Sequence, residues 1–444
     1  MKEKHSKARC SRAWRSAARA KRITAHDTAM RHTRTIRPAG ISGQLNAPAS
    51  KSDMVRAVAV AALTDNAYTI LHPSYCEDAL AACRVVEALG VQLLRSPEQL
   101  QLFPGRKAIQ SVLNCGESAL CIRMFASIAA LGSEPTTLTG HGSLRSRPLT
   151  MIEQPLRDLG VCCHSCSGVQ PLTIQGPLQA GRTVVDASGS SQFLSGLLMA
   201  LPLCKGRSEI IVPALVSHPY VEMTLHLLRT FGIRIEHDRF QRFFIQGAQQ
   251  YTAVDYQIEG DWSGASCLLT AGALAGRIRV TNLRHDSLQA DTAILEALRR
   301  AGASVDVGEH YVEVAQAPLS GFTFDATECP DLFPALVALA VSCVGKSVIY
   351  GAERLAVKES DRGQALLTEF RKMGAALERY PDRLEILGRT FLDGGTIDSY
   401  NDHRIAMACA VAALGSRSGV TIEAAECVAK SYPEFFDDLE RVMI

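Results

Sequence analysis

Aromatic residues make up 6% of this 444-residue chain, and only two are tryptophan. No stretch interleaves aromatic with basic side chains, so the sequence offers no surface for stacking nucleic-acid bases. Long apolar runs are missing as well: none approaches the roughly 20 residues that cross a bilayer as a helix. Neither nucleic acid nor a membrane is therefore expected as a partner. Charge of one sign is not in excess, since 47 Lys and Arg face 45 Asp and Glu for a formal charge of +2. That balance conceals an asymmetry. Residues 1–37 carry 12 basic and two acidic residues, a net of +10, which leaves −8 for the remainder. This basic extension lacks both the apolar content of a core and the apolar stretch of a secretory signal, so it is expected to be disordered. The fourteen cysteines do not show the spacing of a small disulfide framework, which points to a reducing compartment, the cytoplasm. One cluster, Cys162, Cys163, His164 and Cys166, has metal-like spacing. No second pair follows to complete a four-ligand zinc site, and no metal is expected.

What the chain does have is a repeat. Gly90, Gly160, Gly232, Gly302 and Gly374 follow one another at separations of 70, 72, 70 and 72 residues. They close the phrases VVEALG, PLRDLG, LLRTFG, ALRRAG and EFRKMG, with a sixth copy in PEFFDDLERVMI. Each is an amphipathic run ended by the residue that most easily takes the left-handed conformation after a helix. Earlier in each unit lies a second phrase, at 45–64, 114–131, 184–203, 257–275, 324–341 and 396–414, in which small polar residues precede a helix apolar on every side. Such a helix belongs in a core. Its N-terminus presents unpaired N–H groups and a partial positive charge, and six of them together could form one anion site.

Short β-type runs such as AYTIL, TTLTG, SEIIV, RIRVTNL and SVIYG separate the helical phrases. Each unit therefore reads βαβαββ, and the expected fold class is α/β. Three units per domain give two similar domains with buried helices and outer sheets, an inside-out α/β barrel. The expected first domain spans 50–258, and the second takes 38–49 together with 259–444. The chain then crosses between them near Pro48 and near Gly260.

Six motifs carry a closer signal: APASKSDMVRA, SSQFLSGLLM, LVSHPY, LAVKESDR, YNDHRIAM and AKSYPEFF. In these, and in their order from about residue 38 to the end, the chain resembles the 5-enolpyruvylshikimate-3-phosphate synthase family. The resemblance implies transfer of the enolpyruvyl group of phosphoenolpyruvate to shikimate 3-phosphate with release of phosphate, by a monomer that uses no cofactor. It implies that Lys51, Ala119, Arg147, Arg362, Arg404 and Lys430 surround phosphoenolpyruvate. It assigns shikimate 3-phosphate to Lys51, Ser52, Arg56, Ser190, Ser191, Gln192, Ser217, Asp331 and Lys358. Asp331 is the implied base for the substrate hydroxyl and Glu359 the proton carrier at the methylene, with Lys51 assisting; Arg123 and His403 support the site. Arg residues suit such a cleft because they grip a carboxylate or phosphate through two parallel hydrogen bonds.

Some positions depart from common family patterns. Ala119 and Leu120 stand where many members have Gly-Thr, and the added methyl is expected to disfavour glyphosate, the inhibitor that occupies the phosphoenolpyruvate site in this family. Ser143 and Arg354 also replace residues common in other branches. A sister transferase acting on a UDP-amino sugar shares the fold and uses a mobile-loop Cys, and Cys115 lies in a comparable region. The SSQ and KESDR phrases match the shikimate enzyme better.

Overall fold

A computed structural model of the protein describes residues 32–105, 110–389 and 391–444. Six helices form its interior: Lys51–Val60, Ala119–Ala129, Gln192–Ala200, Trp262–Ala275, Phe333–Ala340 and His403–Ala413. Ala, Leu, Val and Met surround each of them, and almost every residue is buried, as befits helices with no polar face. A second set, Glu77–Ala88, Thr150–Asp158, His218–Thr230, Ile294–Ala301, Arg362–Lys372 and Phe435–Val442, is amphipathic and packs one face inward. The first five of these end at the repeated glycines, whose φ angles lie between 82° and 102°. Only a residue without a Cβ takes that conformation freely.

Sheets cover the helices. In the third unit Arg182–Val184 pairs in parallel with Arg207–Ile211, which pairs antiparallel with Arg242–Gln246, and Glu236–Asp238 completes the hairpin. Burial alternates along these strands, so one face meets the helices and the other meets water. Three sheets borrow a strand from elsewhere in the chain, two of them beside the connecting segments: Tyr256–Gln257 pairs with Tyr68–Leu71, and Ile41–Asn46 pairs with Gly276–Thr281. The two connecting segments run side by side, with Ser50 N–H donating to Glu259 O at 2.8 Å and Asp261 N–H to Pro48 O at 2.7 Å.

Two separate apolar cores result. One is built from residues between Met54 and Ile258; the other takes Ile36, Ile41, Leu45 and Ala47 together with residues from Trp262 to Val442. The last unit has no closing hairpin, and Arg34–Ile36 fills the edge by pairing antiparallel with Val420–Glu423. This corrects the expectation for the basic extension, because residues 34–36 of the span 1–37 are ordered strand. The reason is that the β-branched pair Thr35 and Ile36 meets an open sheet edge, where Ile36 becomes buried. Residues 1–31 lie outside the described residues.

Candidate active site

Between the two cores lies a cleft lined from both sides. The first core contributes Lys51, Ser52, Arg56, Ala119, Arg123, Arg147, Ser190, Ser191, Gln192 and Ser217, and the second contributes Asp331, Lys358, Glu359 and Arg404. Local sequence explains how these side chains reach it. Ser50 caps the first buried helix by accepting from Asp53 N–H, which leaves Lys51 and Ser52 on its opening turn. Ser118 caps the next helix in the same way and puts Ala119 at its first position. Ser191 and Ser217 occupy cap positions without making a cap hydrogen bond, so their hydroxyls remain available to a ligand. Ser217 holds φ at 58°, a strained conformation for a residue with a Cβ.

Two first-core guanidinium groups, those of Arg56 and Arg123, are fixed by neutral acceptors. Arg56 donates to Thr224 Oγ1 at 2.9 Å, Ser52 O at 2.7 Å and Tyr220 O at 3.2 Å. Arg123 donates to Gln192 Oε1 at 3.0 Å and Pro148 O at 2.9 Å. Its Nε is buried without a hydrogen-bond partner, as is Nε of Arg147, whose Nη1 has only the Glu359 carboxylate, 3.5 Å away. Buried donors left unmade are unfavourable by about 1–3 kcal/mol each, more when charged, so these groups favour an anion in the cleft.

The second core supplies the carboxylates. Asp331 is ion-paired with Lys358 at 3.2 Å, Arg362 at 2.7 Å and Arg404 at 3.6 Å. Glu359 meets Arg362 at 2.6 Å and, across the cleft, Arg147 of the first core at 3.5 Å. Burial opposes the charge on both acids. Lys358, Arg404 and Arg362 nevertheless hold the Asp331 carboxyl well below its ordinary range, and Arg362 and Arg147 do the same for Glu359. Burial lowers Lys358 to about 8, against the pull of Asp331. Lys51 is also desolvated, but Asp78 at 3.0 Å keeps it protonated beyond its ordinary range. Burial, Lys51 and Arg404 keep His403 neutral, and neither of its ring nitrogens has a hydrogen-bond partner.

Three of the candidate residues do not line the cleft. His403 is fully buried behind it. Arg362 is likewise buried, and its guanidinium already donates to Asp402, Asp331 and Glu359. In this arrangement Arg362 is a hub for three acids, all within 3.0 Å of its guanidinium nitrogens. Lys430 lies in an adjoining cavity that shares Asp78. It donates to Asn401 O at 2.6 Å and pairs with Glu117 at 2.9 Å.

Sequence reasoning passed over Asp402, Asp78 and Glu117, the carboxylates that hold these cations. Asp402 left a signal, since it precedes a buried helix and caps it by accepting from Arg404 N–H at 3.0 Å. Arg354 lines the cleft and donates to Thr327 O at 2.8 Å, while Ser143 Oγ donates to Glu117 at 3.1 Å. Cys115 is fully buried, its thiol facing Leu113 O, and it does not line the cleft. Cys162, Cys163, His164 and Cys166 fall on one strand, where successive side chains point to opposite faces. Among the described residues no group of three or more His, Cys, Asp or Glu is arranged to hold a metal, and no helix is long and apolar enough to cross a membrane.

Fold and cleft together define an α/β protein of two repeated halves that share a cation-lined cleft. The chain belongs to the EPSP synthase (3-phosphoshikimate 1-carboxyvinyltransferase) family, whose sequence profile matches residues 36–439. It is 36% identical over 419 residues to the 3-phosphoshikimate 1-carboxyvinyltransferase of Clostridium novyi, covering 92% of this chain and 96% of that one. It is 39% identical over 416 residues to the enzyme of the same name from Methanocella arvoryzae, covering 92% and 98%. The fold superposes on an EPSP synthase structure from Acinetobacter baumannii with a TM-score of 0.79 at 25% identity, covering 93% of this chain and 98% of that one.

Proposed function

We propose that this protein transfers the enolpyruvyl group of phosphoenolpyruvate to the 5-hydroxyl of shikimate 3-phosphate by addition and elimination, releasing phosphate, as a monomer in the cytoplasm. The observation that supports this most is the approach of Arg147 to Glu359 at 3.5 Å, which joins a cation of one core to an acid of the other in a single cleft. In this reading the two cores are two domains, 50–258 and 38–49 with 259–444, hinged where the connecting segments run side by side. Closure about that hinge excludes water from the reacting groups.

Shikimate 3-phosphate binds to Ser52, Arg56, Ser190, Ser191, Gln192 and Ser217 of the first domain, and to Asp331 and Lys358 of the second. Phosphoenolpyruvate lies against Lys51, Ala119, Arg147 and Arg404, with Arg362 reaching it as its carboxylate partners yield and Lys430 reaching it while still paired with Glu117. Asp331 takes the proton of the attacking hydroxyl, and the methylene carbon gains a proton from Glu359. Loss of phosphate and return of a methyl proton to the Glu359 carboxylate then restore the double bond. Two acids held so firmly ionised are weak bases and unready proton donors. The substrates correct this themselves, since each arriving anion offsets the cations that depress Asp331 and Glu359 and so raises both pKa values. Lys51 keeps its proton beside Asp78 and stabilises the negative charge that develops on the substrates.

A coupled phosphate-release assay tests the reading. Phosphate should appear only when both substrates are present, and not when a UDP-amino sugar replaces shikimate 3-phosphate. Asp331→Asn and Glu359→Gln should each lower turnover by about a hundred- to ten-thousand-fold with unchanged circular dichroism. Release with phosphoenolpyruvate and the UDP-sugar, or full activity in both variants, would refute it.

A further inference from the structure

One carboxylate of the first core reaches the second without facing the cleft. Glu117 accepts from the backbone N–H of Ser143 at 3.0 Å and from its hydroxyl at 3.1 Å, which fixes it within its own half. The loop that holds it has given up a side chain to do so: a Cβ at Gly142, where φ is +54°, would stand 2.2 Å from the Glu117 carboxyl carbon. From this seat Glu117 pairs with Lys430 at 2.9 Å and meets the Asn401 amide at 3.4 Å, both in the other half. The Lys430 and Glu117 side chains are 9% and 18% exposed, so the pair is better shielded than an ordinary surface ion pair. Its target is strained. Tyr400 and Asn401 both hold left-handed φ angles, 54° and 53°, which persist only where the surroundings enforce them. Immediately after this turn come Asp402, His403 and Arg404.

We propose that Glu117 is a positioning residue for the reaction, tying the strained Tyr400–Asn401 turn to the first domain so that domain closure and the aim of Asp402, His403 and Arg404 are set together. The kinetic part rests on the function proposed above; the conformational part does not. Lys430 and Asn401 are the handles, and Asn401 O, which accepts from Lys430 Nζ at 2.6 Å, makes them one unit.

The test is Glu117→Gln, which keeps the shape and the acceptor for Ser143 but removes the charge. Closure then becomes part of what substrate binding must drive, so the KM for phosphoenolpyruvate should rise about tenfold while kcat at saturation of both substrates changes less than about threefold. Small-angle X-ray scattering of the variant without substrates should show a larger radius of gyration than the parent. Glu117→Asp, which retains the charge, should recover part of both effects, and Asn401→Ala should reproduce the expansion. Parental KM and scattering in Glu117→Gln, or a KM rise with no expansion, would overturn the proposal. So would a lowered melting temperature as the only change. If the parent releases no phosphate from the two substrates, the functional reading fails, and the scattering comparison still decides whether Glu117 ties the domains.

Discussion

Replacing Asp402 with alanine strikes the most deeply buried of the acids that organise the site. Asp402 is inaccessible to solvent. It accepts from Arg362 Nε at 3.0 Å and Nη2 at 3.3 Å, from Ser360 Oγ at 3.1 Å, and from Arg404 N–H at 3.0 Å as a helix cap. Removing one partner of a buried ion pair destabilises by about 3–5 kcal/mol, and losing a cap adds about 1 kcal/mol. Arg362 retains Asp331 and Glu359, so its charge is not orphaned, and a net loss of about 3 kcal/mol is the reasonable expectation. In a domain of roughly two hundred residues each kcal/mol moves the melting temperature by about 2–4 °C, which predicts a drop of about 6–12 °C. Scanning calorimetry should place the loss in the transition of the second domain if the two cores melt separately. Asp402→Asn, which keeps an acceptor for the cap, should fall between the parent and Asp402→Ala. Below the transition, kcat/KM should drop at least about tenfold, because Arg362 and Arg404 lose their common brace. A shift of less than about 2 °C in Asp402→Ala would show that the Arg362 hub does not hold this half together.

Lys358, lowered by burial to about 8, is charged below that pH and neutral above it, so kcat/KM for shikimate 3-phosphate should fall as pH rises through about 8. Lys358→Arg should remove that limb, because an arginine keeps its charge throughout, and a limb that persists would assign it to another group. Ala119→Gly should lower the glyphosate inhibition constant at least about tenfold by relieving an overpacked wall, and equal constants in the two proteins would refute the steric argument. Deleting residues 1–31 should leave the melting temperature and turnover unchanged. Deleting 1–37 should destabilise by about 1.5–3 kcal/mol, the value of burying one isoleucine, since Ile36 is 1% exposed; identical melting curves for the two truncations would count against a structural role for that strand.

The fold was legible because its signals are local and repeated. Gly90, Gly160, Gly232, Gly302 and Gly374 need a left-handed backbone, and helices such as Phe333–Ala340, FPALVALA, have no side to show to water. The edge strand Arg34–Ile36 was hidden, since three residues at the end of a basic run carry too little pattern to outweigh their surroundings. The cleft cations could be named from motifs, but their partners could not. Glu117 and Lys430 are 313 positions apart in the sequence, and whether they touch depends on how two domains meet. The same holds for Arg147 and Glu359. A motif shows which cations are present, whereas their neighbours determine which of them are free.

That distinction bears on how the cleft handles charge. Arg362, Lys358, Arg404, Lys51 and Lys430 are each matched to a carboxylate, while Arg56 and Arg123 are held by neutral oxygens. A phosphorylated anion meeting Arg56 and Arg123 displaces no acid, so binding at these two parts no ion pair. An anion reaching the second-domain cations must compete with Asp331 and Glu359 for them. In the proposed mechanism the acids released from that competition are the two assigned the proton transfers, and their pKa values would rise as their cations turn to the substrate. On that mechanism binding and activation of the acid–base pair are one event, and a carboxylate is made basic only when there is a substrate hydroxyl beside it.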